Sequence, residues 1–505
     1  MAYRRPRMDL LERAPLLEEL NGELAATADG GRVVLVAGEA GIGKSALVRA
    51  FAERHPADAR FLLGVCDPLL TPRALGPLHD VARQTGGELA AQLAAAGPRE
   101  RLFSALLDEL DRWAGPQVLV VEDAHWADEA TLDLLVFLGR RVEGTGAFLL
   151  VTYRDDEVGP DHPLHGVLGT LPQGVVRRLR PQPLSEAAVA ELARRAGRPA
   201  AGLRDLTGGN PLLVTEALAA GDAGVSLTIR DLVLARLGGL PAEAQEVVRL
   251  VAVVPTRAEL WLLEQALGPA PAAVEACVAG GLLVVGTEAI GFRHELLRRA
   301  VEGSLSALGR RELNRRVLAL LAGAPEGEVD LARLVHHARE AGDTEAVLRY
   351  APEAARQAAA VAAHREAVGH YRAALAHAER LPPAVRAELL EAYSVEAYLS
   401  GLSPEAVSAR QAALRLREAT GDRERVGEAC AGCRACTGGT AAARRRRRPP
   451  PAPSTCSRPC RPAASSRWPT ATRHSSTCWP TATSRRCAGP GGRSSWPGGW
   501  ATRRR

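Results

Sequence analysis

The chain of 505 residues carries a net charge of +6, yet its last 77 residues contain sixteen arginines and no acidic residue, which leaves residues 1–428 at about −10. This length is too great for one hydrophobic core and predicts two to four domains. The sequence argues against a membrane-spanning protein, because no apolar run approaches the roughly 18 residues of a membrane span, and against a secreted one, because no apolar segment of signal-peptide type follows Met1–Arg7. It also argues against a disulfide-rich protein, because only Cys66 and Cys277 precede the tail. A cytoplasmic location is therefore predicted.

The first predicted elements are a buried strand at Val33–Val36, a glycine-rich loop and an amphipathic helix that opens at Ser45. The loop fits the phosphate-binding pattern G-x-x-x-x-G-K-[ST], with the sequence Gly38-Glu39-Ala40-Gly41-Ile42-Gly43-Lys44-Ser45. Lys44 is the only lysine of the chain, and a compact ammonium suits phosphate oxygens better than a planar guanidinium does.

In such a loop, glycines let backbone amides converge on the phosphates, and the helix N-terminus adds positive potential. The hydroxyl of Ser45 is placed to ligate Mg²⁺. We therefore predict that the chain binds ATP or ADP with Mg²⁺ through Gly38, Gly41, Ile42, Gly43, Lys44 and Ser45. The alternative is a glycine-rich turn without a ligand.

Apolar runs alternate with helical patterns over residues 31–180, which predicts an α/β fold with a doubly wound parallel sheet. The predicted helices include Arg99–Trp113 and Glu129–Val142. The predicted strands are Val33–Val36, Arg60–Gly64, Val118–Val121, Ala147–Val151 and Val175–Leu179.

The strand Val118–Val121 ends in two acids, Glu122 and Asp123. A buried strand of this kind delivers its acids to the edge of the sheet where ligands bind. One acid can hold Mg²⁺ through water, and the other can orient or deprotonate the attacking water. By position Glu122 is the acid on the metal side and Asp123 the acid on the water side, and these roles are open to exchange. The alternative is an acidic loop at the end of a strand.

Three further side chains follow these strands. Arg154 comes after the fourth strand, where it could meet the γ-phosphate and report its loss. Its alternative is a solvated arginine paired with Asp155 or Asp156. His125 and Trp126 follow the acids directly, and a hydrogen-bonded histidine beside a packed aromatic ring is as plausible there as a catalytic role.

Strand patterns fade after residue 182. Ser185 is placed as the cap of a helix, and helices are predicted to continue to about Ala220. The stretch Gly208-Gly209-Asn210-Pro211 interrupts them, and the end of one helix and the start of the next are enough to explain it. In residues 226–305, three helical patterns precede a hairpin-like stretch, Leu282–Gly286 and Ala289–Phe292, an order that suggests a winged helix. His294 follows the hairpin and by itself is more often a structural histidine.

Residues 310–428 show helix-period apolar spacing with few breakers. Segments such as Thr344–Arg356 and His364–Glu379 resemble the paired helices of tetratricopeptide repeats. The repeat is degenerate, so an irregular helical bundle is the alternative.

Residues 429–505 contain no Leu, Val, Ile, Met or Phe. Such a tail cannot bury enough apolar area to offset its ordering entropy and is predicted to be disordered. The abrupt change favours a shifted reading frame in a GC-rich gene over a selected basic tail. Because disorder offers no frame for ligands, Cys430, Cys433 and Cys436 are not predicted to bind metal, and Arg444–Arg448 would bind nucleic acid only nonspecifically.

Together these residues resemble the large ATP-binding regulators of the LuxR family, members of the signal-transducing NTPases called STAND. The resemblance spans Leu10–Glu428 and rests on Gly38–Ser45, Leu119–Leu135, Thr207–Glu216 and Phe292–Val301. It implies a P-loop NTPase domain at 1–182, a helical lid at 183–225, a winged helix at 226–305 and α-helical tetratricopeptide-like repeats at 306–428, followed by the tail at 429–505.

The resemblance also implies that Arg154 senses the γ-phosphate, that Pro211 approaches the nucleotide from the lid, and that His294 touches the β-phosphate of a resting ADP state. Two departures stand out. The first acid is Glu122, where the family commonly has Asp, and nothing in the sequence resembles the carboxyl-terminal helix-turn-helix of such regulators. We therefore expect no sequence-specific DNA binding by this chain.

The function predicted from the sequence is an ATP-dependent signalling switch with slow hydrolysis. The ATP state is expected to self-associate, and the helical repeats are expected to bind an inducer or a partner protein. Alternatives are an AAA-like ATPase that remodels nucleic acid or protein, a region related to the NTPase part of soluble adenylyl cyclases, and a nonfunctional fragment.

Overall fold

The computed structural model describes residues 10–55, 59–113, 115–220, 229–324 and 330–421. The predictions for the tail at 429–505, including its cysteines and arginine run, lie outside the described residues. Among the residues described, no helix combines the length and the apolar character that crossing a lipid bilayer requires.

A parallel sheet of five strands organises the described residues up to residue 182. In order across the sheet the strands run β2, β3, β4, β1 and β5, so β4 separates the strand before the glycine-rich loop from the strand that carries the acids. All five predicted strands are present, and the predicted doubly wound parallel sheet is confirmed. The strands are β1 (Arg32–Ala37), β2 (Arg60–Val65), β3 (Gln117–Glu122), β4 (Ala147–Tyr153) and β5 (Val176–Leu179).

Helices cover both faces of this sheet because successive side chains of a buried strand point to opposite sides. Val34 and Val36 pack with α1 and α2 in one core, whereas Val33 and Leu35 belong to a second core that includes residues of α3 to α7. These helices are α1 (Ala14–Ala25), α2 (Lys44–Arg54), α3 (Gly76–Thr85), α4 (Gly87–Ala94), α5 (Arg99–Asp111), α6 (Glu129–Gly139) and α7 (Pro163–Thr170).

Two predicted helices end earlier than expected. The helix from Arg99 ends at Asp111, and the helix from Glu129 ends at Gly139 rather than Val142. Glycine has a low helix propensity, and beyond Gly139 the chain tightens into a 3₁₀ turn at Val142–Gly144.

Three short helices and a mixed unit follow the sheet. The hairpin predicted after residue 282 is present and joins a third short strand in an antiparallel sheet. Within the described residues from 229 onward, four helices rather than three precede the hairpin, because a Pro-Ala pair at 269–270 divides the apolar stretch into α13 and α14. The elements are α8 (Glu186–Arg195), α9 (Leu203–Thr207), α10 (Pro211–Ala220), α11 (Ile229–Gly238), α12 (Ala242–Val253), β6 (Ala258–Glu259), α13 (Leu260–Leu267), α14 (Pro271–Ala279), β7 (Leu283–Val285), β8 (Ala289–Phe292) and α15 (Glu295–Glu302).

The described residues from 307 to 421 are helical, and each helix packs against the next along the chain. The predicted pair is present, with its first helix extended to Ala360 and its second ended at Leu375 by a 3₁₀ turn at Ala378–Arg380. The helices are α16 (Ala307–Ala322), α17 (Leu331–Ala341), α18 (Thr344–Ala360), α19 (His364–Leu375), α20 (Pro383–Leu399) and α21 (Ser403–Thr420).

The helical region docks directly on the helix that follows the acid pair. The Glu129 amide, at the start of α6, donates to Oε1 of Glu366 at 3.1 Å, and the Arg365 amide, near the start of α19, donates to Oε2 of Glu129 at 2.9 Å. Each helix thus satisfies a free amide of the other's first turn. Ala363 and Ala367 complete the contact as members of the same core as Val33 and Leu35.

This joint is predicted to weaken as pH rises. Burial, with the nearby Asp128 carboxylate, raises the pKa of Glu366 to about 7. An unfolded glutamate titrates near 4.3, so between about pH 4.5 and 7 the folded chain binds more protons, and its stability falls as pH increases. Glu366→Gln keeps the Oε1 acceptor without the charge, and we expect it to be more stable than wild type at pH 8 by up to about 3 kcal/mol.

Urea unfolding at pH 5 and pH 8 measures this difference. The gain should shrink toward pH 5, and Glu353→Gln, an exposed position on α18, should show no such pH dependence. An equal effect of Glu366→Gln at both pH values would contradict the assignment.

Candidate functional site

The glycine-rich loop wraps around the start of α2, which begins at Lys44. Gly43 caps this helix with a φ of 102°, and Gly41 has a φ of 81°, both in the left-handed region that side chains disfavour. A Cβ on Gly41 would lie 2.8 Å from Cβ of Leu212, so the loop also has no room for a larger residue. Ile42 is buried, and Ser45 is the second residue of the helix. The loop therefore presents backbone amides and a helix N-terminus to one point.

Lys44 is buried at this point. Its Nζ donates to the carbonyl of Gly38 at 2.6 Å and to that of Glu39 at 3.0 Å. Burial lowers the pKa of Lys44, and the Asp123 carboxylate opposes that shift. Carbonyl dipoles balance an ammonium only in part, so the site is suited to an anionic ligand.

The acid pair lies at the carboxyl edge of the sheet, as the sequence predicted. Glu122 is the last residue of β3, and Asp123 adopts a left-handed conformation with a φ of 55°. The Asp123 amide donates to Oγ1 of Thr152 on β4 at 3.0 Å, which fixes the turn to the neighbouring strand. Burial and the adjacent Glu122 raise the pKa of Asp123 to about 6, with Lys44 and Arg154 opposing the shift. Asp123 thus combines proximity to the loop lysine with a proton affinity suited to general base chemistry near neutral pH.

Arg154 is buried at the same edge and is not a solvated arginine. Its Nη1 pairs with the Glu157 carboxylate, and its guanidinium carbon lies 4.8 Å from the centre of the Trp126 ring. The alternative pairing with Asp155 or Asp156 is wrong, because Asp155 instead pairs with Arg180 at 3.4 Å. The turn after β4 points Arg154 inward because Trp126 offers it an aromatic surface.

His125 differs from the hydrogen-bonded histidine considered from the sequence. Its ring packs on Trp126 with centroids 4.4 Å apart, and neither ring nitrogen has a hydrogen-bond partner within the described part of the chain. Nδ1 lies 4.0 Å from the Asp123 carboxylate, and Nε2 lies 3.7 Å from that of Glu157. Burial and the cations of Arg154 and Lys44 lower the pKa of His125 to about 3, so the ring is neutral.

The turn before α10 lies on the glycine-rich loop. Nδ2 of Asn210 donates to Oε1 of Glu39 and to the carbonyl of Ala40, each at 2.9 Å, and the Leu212 amide donates to the Gly41 carbonyl at 3.3 Å. Pro211 stands between these two anchors. Sequence reasoning singled out Pro211 through the resemblance but missed Asn210, although an asparagine between Gly209 and Pro211 was a signal for a side chain that bonds to backbone.

The helix α15, which follows His294, reaches the site at Trp126. His294 is the residue before α15, and burial lowers its pKa to about 4, with the cation of Arg49 on α2 contributing. The next residue, Glu295, raises the pKa of Asp123 by its charge. Arg299, one turn further, lies over the Trp126 ring at 5.7 Å. The structure therefore brings Lys44, Glu122, Asp123, Arg154, Pro211 and His294 to one region.

Arg13 was missed by sequence reasoning. It is buried just before α1, and its Nη2 donates to the Ile42 carbonyl at 3.3 Å and to the Gln182 carbonyl at 2.7 Å. The neighbouring Glu12 accepts hydrogen bonds from the amide and hydroxyl of Ser185. The amino-terminal segment thus ties the phosphate loop to the start of α8, a long-range role that no local pattern reveals.

Parts of this chain are similar in sequence to known proteins. Residues 9–151 match the profile of the AAA ATPase domain family. An uncharacterised protein of Rhizobium meliloti is 28% identical over 389 residues, which cover 62% of this chain and 37% of that protein. The chain thus spans little more than a third of the length of this curated relative.

Solved structures with a similar arrangement share little sequence. One is a signal transduction ATPase with numerous domains (STAND) carrying a tetratricopeptide repeat sensor, from Pyrococcus horikoshii, with 15% identity, a TM-score of 0.45, and coverage of 86% of this chain and 81% of that chain. Another is Cdc6p of Pyrobaculum aerophilum, with 15% identity, a TM-score of 0.32, and coverage of 61% and 98%. The sheet order and the loop geometry are those of a P-loop NTPase domain, and residues 9–151 are similar to the AAA ATPase domain family.

Proposed function

We propose that this chain is an ATP-binding signal-transduction switch of the STAND type, the amino-terminal part of a LuxR-family transcriptional regulator. ATP favours an open, self-associating state, and ADP favours a closed state in which the lid and the winged-helix unit rest on the nucleotide. The repeat-like helices receive the inducer or partner. Hydrolysis is slow because the product state itself carries information.

The observation that carries the proposal is the contact between the turn before α10, in the predicted lid, and the glycine-rich loop. Asn210 bonds to Glu39 and Ala40 on that loop, and Leu212 bonds to Gly41. Any ligand that moves the loop must act on these bonds, so nucleotide binding and lid position are coupled. Arg299, on α15, lies over the ring of Trp126, three residues after Asp123, and His294 directly precedes α15.

The donor set at the site fits a nucleotide with Mg²⁺. The hydroxyl of Ser45 and the carboxylate of Glu122 would hold the ion, since Mg²⁺ prefers oxygen ligands. Bound Mg²⁺ supplies charge neutralisation at the phosphates. Lys44 holds the phosphate oxygens, Asp123 orients the attacking water and accepts its proton, and Arg154 responds to the γ-phosphate. Pro211 borders the nucleotide, and His294 faces the β-phosphate in the ADP state.

The test is titration of the whole chain with ATP or ADP in the presence of Mg²⁺. Calorimetry measures the affinity, and light scattering measures the molecular mass in solution. We expect ADP to bind more tightly than ATP to the closed form, ATP to increase the molecular mass in solution, and turnover to be well below the typical enzyme value of about 10 s⁻¹.

Two results would contradict this function. Fast hydrolysis stimulated by DNA or by a client protein would favour the AAA-like remodelling ATPase. Salt-resistant preference for one operator in a gel shift would contradict the expectation that this chain does not read DNA sequence.

A further inference from the structure

Trp126 is shared by two cations from different parts of the chain. The guanidinium carbon of Arg154, after β4, lies 4.8 Å from the ring centre, and that of Arg299, on α15, lies 5.7 Å from it. Both distances are within the range of a cation–π contact, and tryptophan is the strongest aromatic partner for such contacts. A single indole therefore links the edge of the parallel sheet to the winged-helix unit.

Each cation also lies near a carboxylate. Arg154 pairs with Glu157, and Nε of Arg299 lies 3.2 Å from Oε1 of Glu295. Glu295 is shared, because Nη2 of Arg298 lies 2.7 Å from the same oxygen. The two carboxylates therefore offset part of the positive charge beside the ring, and both guanidiniums can lie near one indole.

This arrangement depends on where Arg154 points. A γ-phosphate at the site would compete with Glu157 and Trp126 for the Arg154 guanidinium, since phosphate, like carboxylate, accepts charge-assisted hydrogen bonds from arginine. Withdrawal of Arg154 would remove one of the two guanidiniums that fix the position of the Trp126 ring. The ring would then hold Arg299, and with it α15, less firmly.

We infer that Trp126 is a positioning residue that couples Arg154 to α15 through Arg299, so that the nucleotide bound at the sheet edge determines how firmly the winged-helix unit is held. The inference rests on the proposed function, because it requires a site that distinguishes triphosphate from diphosphate. It assigns to Trp126 and Arg299 roles in nucleotide discrimination rather than in contact with the nucleotide.

The experiment measures the ratio of ATP to ADP dissociation constants for the whole chain and a set of variants. Arg299→Gln should reduce the preference for ADP by about two- to fivefold, the range expected from one cation–π contact. Trp126→Leu should reduce it at least as much, and Trp126→Phe, which keeps an aromatic face, should retain part of it. The double variant Trp126→Leu/Arg299→Gln should be no worse than Trp126→Leu alone, because both changes remove one interaction.

Arg310→Gln is the matched control. The Arg310 side chain is 46% exposed, as is that of Arg299, and it too lies near one glutamate, Glu340, but away from Trp126. Its nucleotide ratio should equal that of wild type. An unchanged ratio in Arg299→Gln and Trp126→Phe, or additive effects in the double variant, would overturn the coupling while leaving the switch intact. Wild-type protein that binds neither nucleotide would overturn the proposed function, and the coupling with it.

Discussion

Lys44→Ala is expected to lower the affinity for ATP and ADP by at least about a hundredfold, equivalent to roughly 3 kcal/mol. Lys44 is the only lysine, is buried at the start of α2, and holds its ammonium by two neutral carbonyls. Alanine would leave the phosphates without the cation that faces them. Titration with a fluorescent ADP analogue measures the loss, and far-ultraviolet circular dichroism checks that the helical content is kept.

Lys44→Arg sharpens this test. The variant keeps the positive charge, but a planar guanidinium does not fit the space between the Gly38 and Glu39 carbonyls, so we expect little recovery of affinity. Arg54→Ala, at the exposed end of the same helix, is the control and should bind nucleotide as wild type does. Affinity retained in Lys44→Ala would mean that the phosphates bind elsewhere.

The fold of the NTPase part was predictable because its signals are local. A buried parallel strand is a run of apolar residues, and each of the five runs became a strand. The glycine-rich loop was predictable for the same reason, since its glycines, Lys44 and Ser45 all lie within eight consecutive residues. The ends of elements were less predictable. The helix predicted to reach Val142 ends at Gly139, a residue of low helix propensity.

The partners of the site residues were not predictable because they come from distant segments. Asn210 bonds to Glu39, 171 residues away, and the Glu129 amide bonds to Glu366, 237 residues away. For Arg154, the pairing with Asp155 or Asp156 was the alternative to a γ-phosphate contact, and the structure instead shows a local partner, Glu157, and the more distant ring of Trp126. The hydrophobic repeat of a strand or a helix shows which face of that element is buried. It does not show which distant element packs on that face.

These distant contacts also bear on mechanism. The segments that follow the parallel sheet contact its loops and helices at separate points: the turn before α10 at the glycine-rich loop, α15 at Trp126, and α19 at the start of α6. The α6 contact lies a few residues beyond the acid pair on the same chain segment, so a partner that pulled α19 away would act on the segment that carries Glu122 and Asp123. Within the proposed switch, this is a physical route from the repeat-like helices to the nucleotide.

Arg333→Met is expected to lower the free energy of unfolding by about 1–2 kcal/mol, between the loss of an exposed ion pair and that of a fully buried one. Nη1 and Nη2 of Arg333, on α17, lie 2.6 and 3.0 Å from the two carboxylate oxygens of Glu259 on β6, and the two side chains are 16% and 31% exposed. The charges of Asp330 and Asp67 also act on Arg333, and burial raises the pKa of Asp67 to about 6. Without Arg333, this group of carboxylates would lose the cation that they share.

Urea unfolding at pH 7 compares Arg333→Met with Arg315→Met, whose side chain is 60% exposed and pairs with an exposed glutamate at 2.6 Å, and which should change stability by no more than about 0.5 kcal/mol. Adding Glu259→Leu to Arg333→Met removes the unpaired carboxylate as well, so part of the lost stability should return, since an ion pair exchanged for apolar groups of similar volume is often neutral. If the double variant were as unstable as the two single losses combined, the two residues would act independently. The contact between α17 and β6 would then not be held by this ion pair.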